Sequence, residues 1–323
     1  MGRVHRRTVI KALVVAGAAA SAGACSTSAQ PATDQPKASP SKSAPGTGSP
    51  GGTTPTPGTT PPGATPPGTT APGTAPAGTA PTRTFSLKTS QVAFSRGDRP
   101  LPTTIWQPSG NGSFPLILFS HGLTARPRDY AEMITAWAKA GFVVAAPAYP
   151  FTAGGVSDFN PLDVVNQPAD ASYVITRVLE RLGGAVDAGR IAAAGHSAGG
   201  MTTLGMFSGN RDARLRAGVV LAGRQIVATP LTGAPSPLLF VHGKLDNTIA
   251  YADGRSVFDA MSWPKAFLTF PRGGHVATGR SLDVISATSR DFWRWSLYGD
   301  RSAKARLGQD AAANDLATFT NRL

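Results

Sequence analysis

Cysteine is almost absent from this chain, since Cys25 is the only one among 323 residues. No internal disulfide is therefore possible, which is consistent with folding in a reducing compartment before export. Acidic residues are scarce as well, with 18 Asp and Glu against 31 Lys and Arg. Residues 83–323 alone hold 25 basic and 17 acidic side chains, a formal charge of about +8. Because no basic run or basic helix concentrates this charge, we expect no nucleic-acid partner.

A long apolar run is also missing at the N-terminus, where residues 1–25 have the pattern of an export signal. Basic residues precede a short, alanine-rich core that is too brief for a transmembrane helix. Arg6 and Arg7 begin a twin-arginine pattern, which indicates export of an already folded protein. Cys25 ends a stretch similar to a bacterial lipobox, although Ala22 stands where leucine is usual. We expect lipidated Cys25 to anchor the protein to the outer face of the cytoplasmic membrane; the alternative is cleavage nearby and secretion.

Residues 26–82 have few side chains that a core would bury, because Pro, Thr, Gly, Ser and Ala make up most of them. Such a composition does not offset the conformational entropy lost on ordering, so it predicts a disordered linker. The chain is thus divided into an export signal at 1–25, this linker at 26–82 and a catalytic domain at 83–323.

The last of these segments has the length of one domain built on a sheet that is covered on both faces. Short apolar runs typical of buried strands alternate with helical spacing. The predicted strands are 83–94, 103–107, 115–119, 142–146, 191–194, 217–222, 237–241 and 266–270, and the predicted helices are 129–140, 168–182, 252–261 and 282–297. This alternation predicts an α/β fold with a mainly parallel sheet and a ligand site at the carboxyl ends of its strands.

The stretch Gly195-His196-Ser197-Ala198-Gly199 lies between an apolar strand and a segment compatible with a helix. This is the context of a nucleophile elbow, in which a serine sits on a tight turn between strand and helix. The residues two before and two after the serine must be small, and both are glycine here. Ser197 is therefore the candidate nucleophile.

Acyl transfer by a serine needs a base and a carboxylate that orients the base. His275 follows the last predicted strand and two glycines, which makes it the candidate base. Asp246 is the candidate acid, because residues 213–245 contain no Asp or Glu and Asp246 follows the strand at 237–241. Asp253 and Asp259 are the alternatives, although they fall on or near the next helix.

Three further histidines lie near the predicted site. His121 and His242 each end an apolar strand and precede a glycine, and we expect them to make structural hydrogen bonds at its floor. His196 must leave the tight turn in another direction than Ser197, which predicts a packing role. The oxyanion donors are expected to be the backbone N–H groups of Ala198 and Leu123, the latter in the loop after the strand at 115–119.

The order Ser197, Asp246, His275, with His121-Gly122-Leu123 upstream, resembles the α/β-hydrolase superfamily. The similarity covers nearly all of residues 100–297 and is greatest to the dienelactone hydrolase, chlorophyllase-like and bacterial cutinase (polyester hydrolase) groups. Three features of these groups are absent here. Dienelactone hydrolases use a cysteine nucleophile, whereas this chain has Ser197. Polyester hydrolases usually carry methionine after the serine and a C-terminal disulfide, whereas Ala198 follows the serine here and the domain has no cysteine. The resemblance implies the α/β-hydrolase fold, with helices on both faces of the sheet. Residues 223–236, broken by proline and glycine, are too few for a large cap domain.

These features predict a serine hydrolase of the cell envelope that cleaves carboxylic esters through an acyl-enzyme. We expect a monomer that needs no cofactor or metal, acts on a small-molecule or polymer ester, and meets the membrane only through its N-terminal lipid. One alternative is a non-catalytic scaffold that binds an envelope ligand, since a fold does not guarantee activity. Others are a thioesterase, an acyltransferase or a peptidase with the same triad.

Overall fold

The computed structural model describes residues 79–323. The predicted export signal, Cys25 and residues 26–78 of the predicted linker lie outside the described residues. Nine strands form one sheet: β1 (Leu87–Arg96), β2 (Arg99–Pro108), β3 (Phe114–Ser120), β4 (Val143–Pro147), β5 (Val186–His196), β6 (Leu215–Leu221), β7 (Leu238–Gly243), β8 (Lys265–Phe270) and β9 (Thr318–Arg322). The α-helices of the described residues are α1 (Ala131–Lys139), α2 (Gln167–Leu182), α3 (Ala198–Gly205), α4 (Tyr251–Ala260), α5 (Arg280–Tyr298) and α6 (Arg301–Ala312).

The strand order is β1-β2-β4-β3-β5-β6-β7-β8-β9. Strands β3 to β8 pair in parallel, whereas β1, β2 and β9 pair antiparallel with their neighbours. The prediction of an α/β fold with a mostly parallel sheet is confirmed. Because the parallel strands all end at one edge, the loops after β3, β5, β7 and β8 meet there.

The core lies on both faces of the sheet, and β3 illustrates how. All seven of its residues are buried. Leu116 and Leu118 belong to the apolar cluster that includes residues of α2 and α4, whereas Ile117 and Phe119 belong to the cluster that includes residues of α1 and α5. A strand covered on both faces shows a continuous apolar run instead of alternation, which is why such runs predicted these strands.

Helix α6 and strand β9 have no counterpart in the sequence-based prediction. Only Ala303, Leu307 and Ala311 are buried in α6, and β9 is a polar strand without a buried residue that pairs antiparallel with β8. Neither segment has a strong apolar period, so their position depends on contacts with α5 and β8.

The loop between β6 and β7 contains no helix in the structure, in agreement with the absence of a large cap domain. Within residues 79–323, no helix combines the length and the apolarity needed to cross a membrane.

Candidate active site

Ser197 lies between the end of β5 and the start of α3 in a backbone conformation that serine rarely adopts, with φ 59° and ψ −119°. The Ser197 N–H donates a 2.9 Å hydrogen bond to the carbonyl of Leu221 at the end of β6. A Cβ on Gly195 would collide with the Gly199 carbonyl, and one on Gly199 would collide with the Ser120 carbonyl. Strain of this kind persists only where neighbouring structure imposes it, and it clusters at functional sites.

Asp246 and His275 meet at the same edge of the sheet, in the loops after β7 and β8. His275 Nδ1 is 2.8 Å from Asp246 Oδ2, and Asp246 Oδ1 accepts the N–H groups of Thr248 and Ile249, each at 2.9 Å. Burial alone would raise the pKa of Asp246, but the hydrogen bonds from His275 and the two N–H groups hold it below its ordinary value. Because an ionised carboxylate only accepts, this contact places a proton on His275 Nδ1.

The candidate nucleophile Ser197 and the candidate base His275 are not hydrogen bonded to each other. Within residues 79–323, Ser197 Oγ makes no hydrogen bond. The His275 loop nevertheless lies against the elbow, because His196 Nε2 is 2.8 Å from the His275 carbonyl and the two imidazole rings are 4.8 Å apart. Catalytic hydrogen bonds are often long in a free enzyme and shorten when substrate binds.

The two predicted oxyanion donors, Leu123 and Ala198, belong to segments that adjoin Ser197. Among the described residues, neither the Leu123 N–H nor the Ala198 N–H has an acceptor. Ala198 begins α3, so its N–H points out of the helix with the positive end of the helix dipole. A Cβ on Gly122 would lie 3.2 Å from the Ser197 Cβ, which shows how closely the Leu123 loop approaches the elbow. Thr124, with φ 58°, fixes the far side of this loop by donating its N–H to the Thr152 carbonyl at 2.8 Å.

His121 and His242 are both buried and make hydrogen bonds to backbone groups. His121 donates through Nδ1 to the Gly122 carbonyl at 2.7 Å and accepts the Tyr149 N–H on Nε2 at 3.1 Å. Burial lowers the pKa of His121 to about 4, so the ring is neutral at pH 7. His242 Nε2 donates to the Ile249 carbonyl at 3.0 Å and lies 3.2 Å from Asp246 Oδ2. Both histidines therefore support the loops of the site.

Sequence reasoning did not single out Tyr130, which ends a short 3-10 helix before α1. Its hydroxyl is 3.1 Å from the Gly122 N–H and 3.0 Å from His196 Nδ1. Tyr130 belongs to no motif, and its partners are distant in the chain. The only available signal was His196 itself, whose side chain cannot point in the same direction as that of Ser197.

Gln167 is a second residue that the sequence did not indicate. Its side chain is fully buried at the start of α2, where Nε2 donates to Thr152 Oγ1 and Oε1 accepts from Thr202 Oγ1, both at 2.6 Å. Thr202 is on α3, and the Thr152 carbonyl receives the Thr124 N–H. Gln167 thus connects the helix behind Ser197 to the loop that fixes the Leu123 segment.

No group of three or more His, Cys, Asp or Glu with a metal-binding arrangement occurs in the described part of the chain. A strained serine, an Asp–His pair and two N–H groups that have no acceptor within residues 79–323 lie in neighbouring loops at one edge of the sheet. These are the groups that nucleophilic acyl transfer requires.

Comparison with known proteins gives one family. A family model described as Chlorophyllase matches residues 75–250, just over half of the chain. The matched region includes the Leu123 loop, Ser197 and Asp246, and it ends before His275. No curated protein matches the chain.

Proposed function

The chain belongs to the chlorophyllase family, and on that premise we propose that it is a cell-envelope serine hydrolase that cleaves carboxylic esters. The observation that carries this proposal is the 2.8 Å hydrogen bond between His275 and Asp246 beside the strained Ser197. A scaffold without catalytic function would not require this strain, which costs about 1–3 kcal/mol of folding free energy.

In the proposed reaction, Ser197 Oγ attacks the ester carbonyl carbon while His275 Nε2 accepts the hydroxyl proton. Ionised Asp246 stabilises the imidazolium that results. The Leu123 and Ala198 N–H groups donate to the oxygen that becomes negative in the tetrahedral intermediate. When the intermediate collapses, His275 returns the proton to the departing alcohol. Water, deprotonated by His275, then releases the acid and restores Ser197.

The surface around the site favours an ester with an apolar acyl group. Eight large apolar side chains are exposed in residues 79–323, and all lie in connecting segments that follow the carboxyl ends of parallel strands. Leu162 is 76% exposed and Val227 is 64% exposed, while Leu245 and Val276 adjoin Asp246 and His275. Exposed apolar side chains concentrated at one edge are typical of a binding surface.

The test is hydrolysis of p-nitrophenyl esters of graded acyl length, combined with fluorophosphonate labelling of the purified chain. Ser197→Ala is expected to lower kcat by about 10⁴ or more and to abolish labelling, because the nucleophile is lost. The matched control is Ser157→Ala, which removes an exposed serine that makes no side-chain hydrogen bond among the described residues. The control should label and turn over substrate normally.

Hydrolysis that persists in Ser197→Ala would reject Ser197 as the nucleophile. Thioesters or peptides cleaved far faster than oxygen esters would replace the proposed substrate class while leaving the triad in place.

A further inference from the structure

Three loops of the site are joined by one line of hydrogen bonds, which we name the His196 relay. It runs from the Gly122 N–H to the Tyr130 hydroxyl (3.1 Å), on to His196 Nδ1 (3.0 Å), and from His196 Nε2 to the His275 carbonyl (2.8 Å). Gly122 precedes the oxyanion donor Leu123, and His196 precedes the nucleophile Ser197. The relay therefore contacts every loop that carries a reacting group except that of Asp246.

The direction of each hydrogen bond in the relay follows from the chemistry of its ends. A carbonyl oxygen only accepts, so His196 Nε2 must carry the proton that is donated to His275. In a neutral imidazole the other nitrogen then accepts, so the Tyr130 hydroxyl donates to Nδ1. The Gly122 N–H can only donate, and it does so to the same phenol oxygen. Each donor in the relay has one acceptor, and no other arrangement satisfies all three contacts with a neutral ring.

Burial keeps the relay in this protonation state. It is the main cause that lowers the pKa of His196 to about 4, followed by the nearby His275. Burial also raises the pKa of the Tyr130 hydroxyl. The Tyr130 ring packs against Phe119 at 4.8 Å between ring centroids, which fixes the hydroxyl in place.

We propose that Tyr130 and His196 are positioning residues, which hold the Leu123 N–H and the His275 imidazole in the places where they can act together with Ser197. This inference rests on the proposed function, since it assigns a role within the same site. Neither residue bonds to the reacting atoms. Each acts by fixing the backbone of a loop that carries a reacting group. Tyr130 holds the Gly122 N–H, next to the Leu123 donor, and His196 holds the carbonyl of His275 itself.

Substitution of either positioning residue should lower kcat and leave KM unchanged. The oxyanion donors and the base act on charge that develops only in the transition state, so their misplacement leaves substrate binding unchanged. Loss of a whole oxyanion donor lowers kcat by about 10²–10³. An oxyanion donor that is present but held less firmly should lose only part of this rate enhancement. We therefore expect Tyr130→Phe to lower kcat by about 10- to 100-fold.

The matched control is Tyr298→Phe. Tyr298 is buried and donates one hydrogen bond from its hydroxyl, to the Gly141 carbonyl at 2.6 Å, at the opposite end of the sheet from the site. Tyr130→Phe loses the bond donated to His196 and the bond accepted from Gly122, whereas Tyr298→Phe loses one fully buried bond, so both variants should lose measurable thermal stability. Rates are normalised to the sites titrated by fluorophosphonate, so that misfolded protein does not count. Only Tyr130→Phe should lose kcat, and an equal loss in Tyr298→Phe, or a rise in KM that accounts for the loss, would overturn the proposal.

A double-mutant cycle tests whether the relay acts as a unit. His196→Ala removes both the acceptor of the Tyr130 hydroxyl and the donor to the His275 carbonyl. If the relay is one unit, Tyr130→Phe combined with His196→Ala should lose less than about twofold more kcat than His196→Ala alone. Losses that multiply would show two independent residues and reject the relay.

A spectroscopic readout separates failure of this inference from failure of the proposed function. Nitrogen NMR of ¹⁵N-histidine in the full chain should show His196 protonated on Nε2 alone at pH 7, whether or not any ester is cleaved. Tyr130→Phe should shift its Nδ1 resonance, whereas Tyr298→Phe should not. Protonation on Nδ1 in the wild-type protein would contradict the relay. Absence of ester turnover with the expected spectrum would reject only the esterase proposal.

Discussion

At the scale of single residues, the candidate site depends on two polar groups whose surroundings favour one charge state. Asp246 is buried, yet three hydrogen bonds keep its pKa below the ordinary value, whereas burial keeps His196 neutral. In the proposed mechanism, the ionised carboxylate next to His275 would stabilise positive charge on that imidazole. The neutral imidazole next to Ser197 would support the loops without competing for the proton.

Asp246→Asn is expected to lower both activity and stability at pH 7. Activity should fall by about 10³–10⁴ in kcat, because an amide that donates to His275 favours the wrong tautomer. The free energy of unfolding should fall by about 1–3 kcal/mol, the usual cost of losing hydrogen bonds to a charged group.

The stability difference has a defined pH dependence. The folded-state pKa of Asp246 lies below its unfolded value, so its stabilisation is complete above about pH 5 and is lost as the pH falls through the folded pKa. Urea unfolding of both proteins at pH 7 and pH 3 measures this. A difference that stays constant across that range would mean that Asp246 is not held ionised by these contacts.

At the scale of elements, the β1–β2 hairpin is fixed to α2 and to the 3-10 helix before it by Arg99. Its guanidinium bonds to Asp163 at 2.7 Å and to Asp170 at 2.5 Å, and Arg96 adds a second contact to Asp170 at 2.7 Å. Asp170 is fully buried, so its charge is tolerated only because these arginines compensate it. Helix α2 also begins with Gln167, which contacts Thr152 and Thr202 behind Ser197. The β1–β2 hairpin and these contacts are therefore attached to the same helix.

Arg99→Met should therefore destabilise the fold by about 3–5 kcal/mol, since it leaves two buried carboxylates with reduced compensation. The control is Arg177→Met, which breaks an exposed pair with Glu180 on α2 and should cost less than about 0.5 kcal/mol. Equilibrium urea unfolding at pH 7 compares the two. Similar losses in both variants would show that the buried cluster contributes no more than a surface pair.

At the scale of the whole molecule, the chain enters the domain away from the candidate site. The Pro81 carbonyl accepts a hydrogen bond from Arg294 at 2.5 Å, and a Cβ on Gly141, just before β4, would lie 2.9 Å from Pro81. The amino end of β4 is at the edge of the sheet opposite to Ser197. The segment that precedes β1 therefore lies at the edge of the sheet opposite to Ser197.

Cys25→Ser tests the proposed envelope anchor. If Cys25 carries a lipid, the substitution should move most of the protein from the membrane fraction into the medium, with ester hydrolysis per molecule unchanged. Immunoblots of fractionated cells that produce each form measure the distribution. Equal membrane-bound amounts of both forms would reject lipidation at this cysteine.

The sequence by itself determined the fold class and most of the elements. Strands covered on both faces appear as apolar runs, and helices with one buried face appear as a 3.6-residue period, so both are local patterns. Gly195 and Gly199 also identified the tight turn at Ser197, because the steric demand acts within five residues. A histidine that ends a strand before a glycine predicts a structural role, and His121 and His242 both bond to backbone groups.

Only the tertiary structure decided which distant groups meet. It placed the polar strand β9 beside β8, put Gln167 between Thr152 and Thr202, and brought the Tyr130 hydroxyl to His196, 66 positions away. A tyrosine before a helix and a glutamine at the start of one have no local pattern that distinguishes them from surface residues. Their partners depend on how the crossovers stack the loops at one edge of the sheet, and that arrangement follows from packing across the whole core.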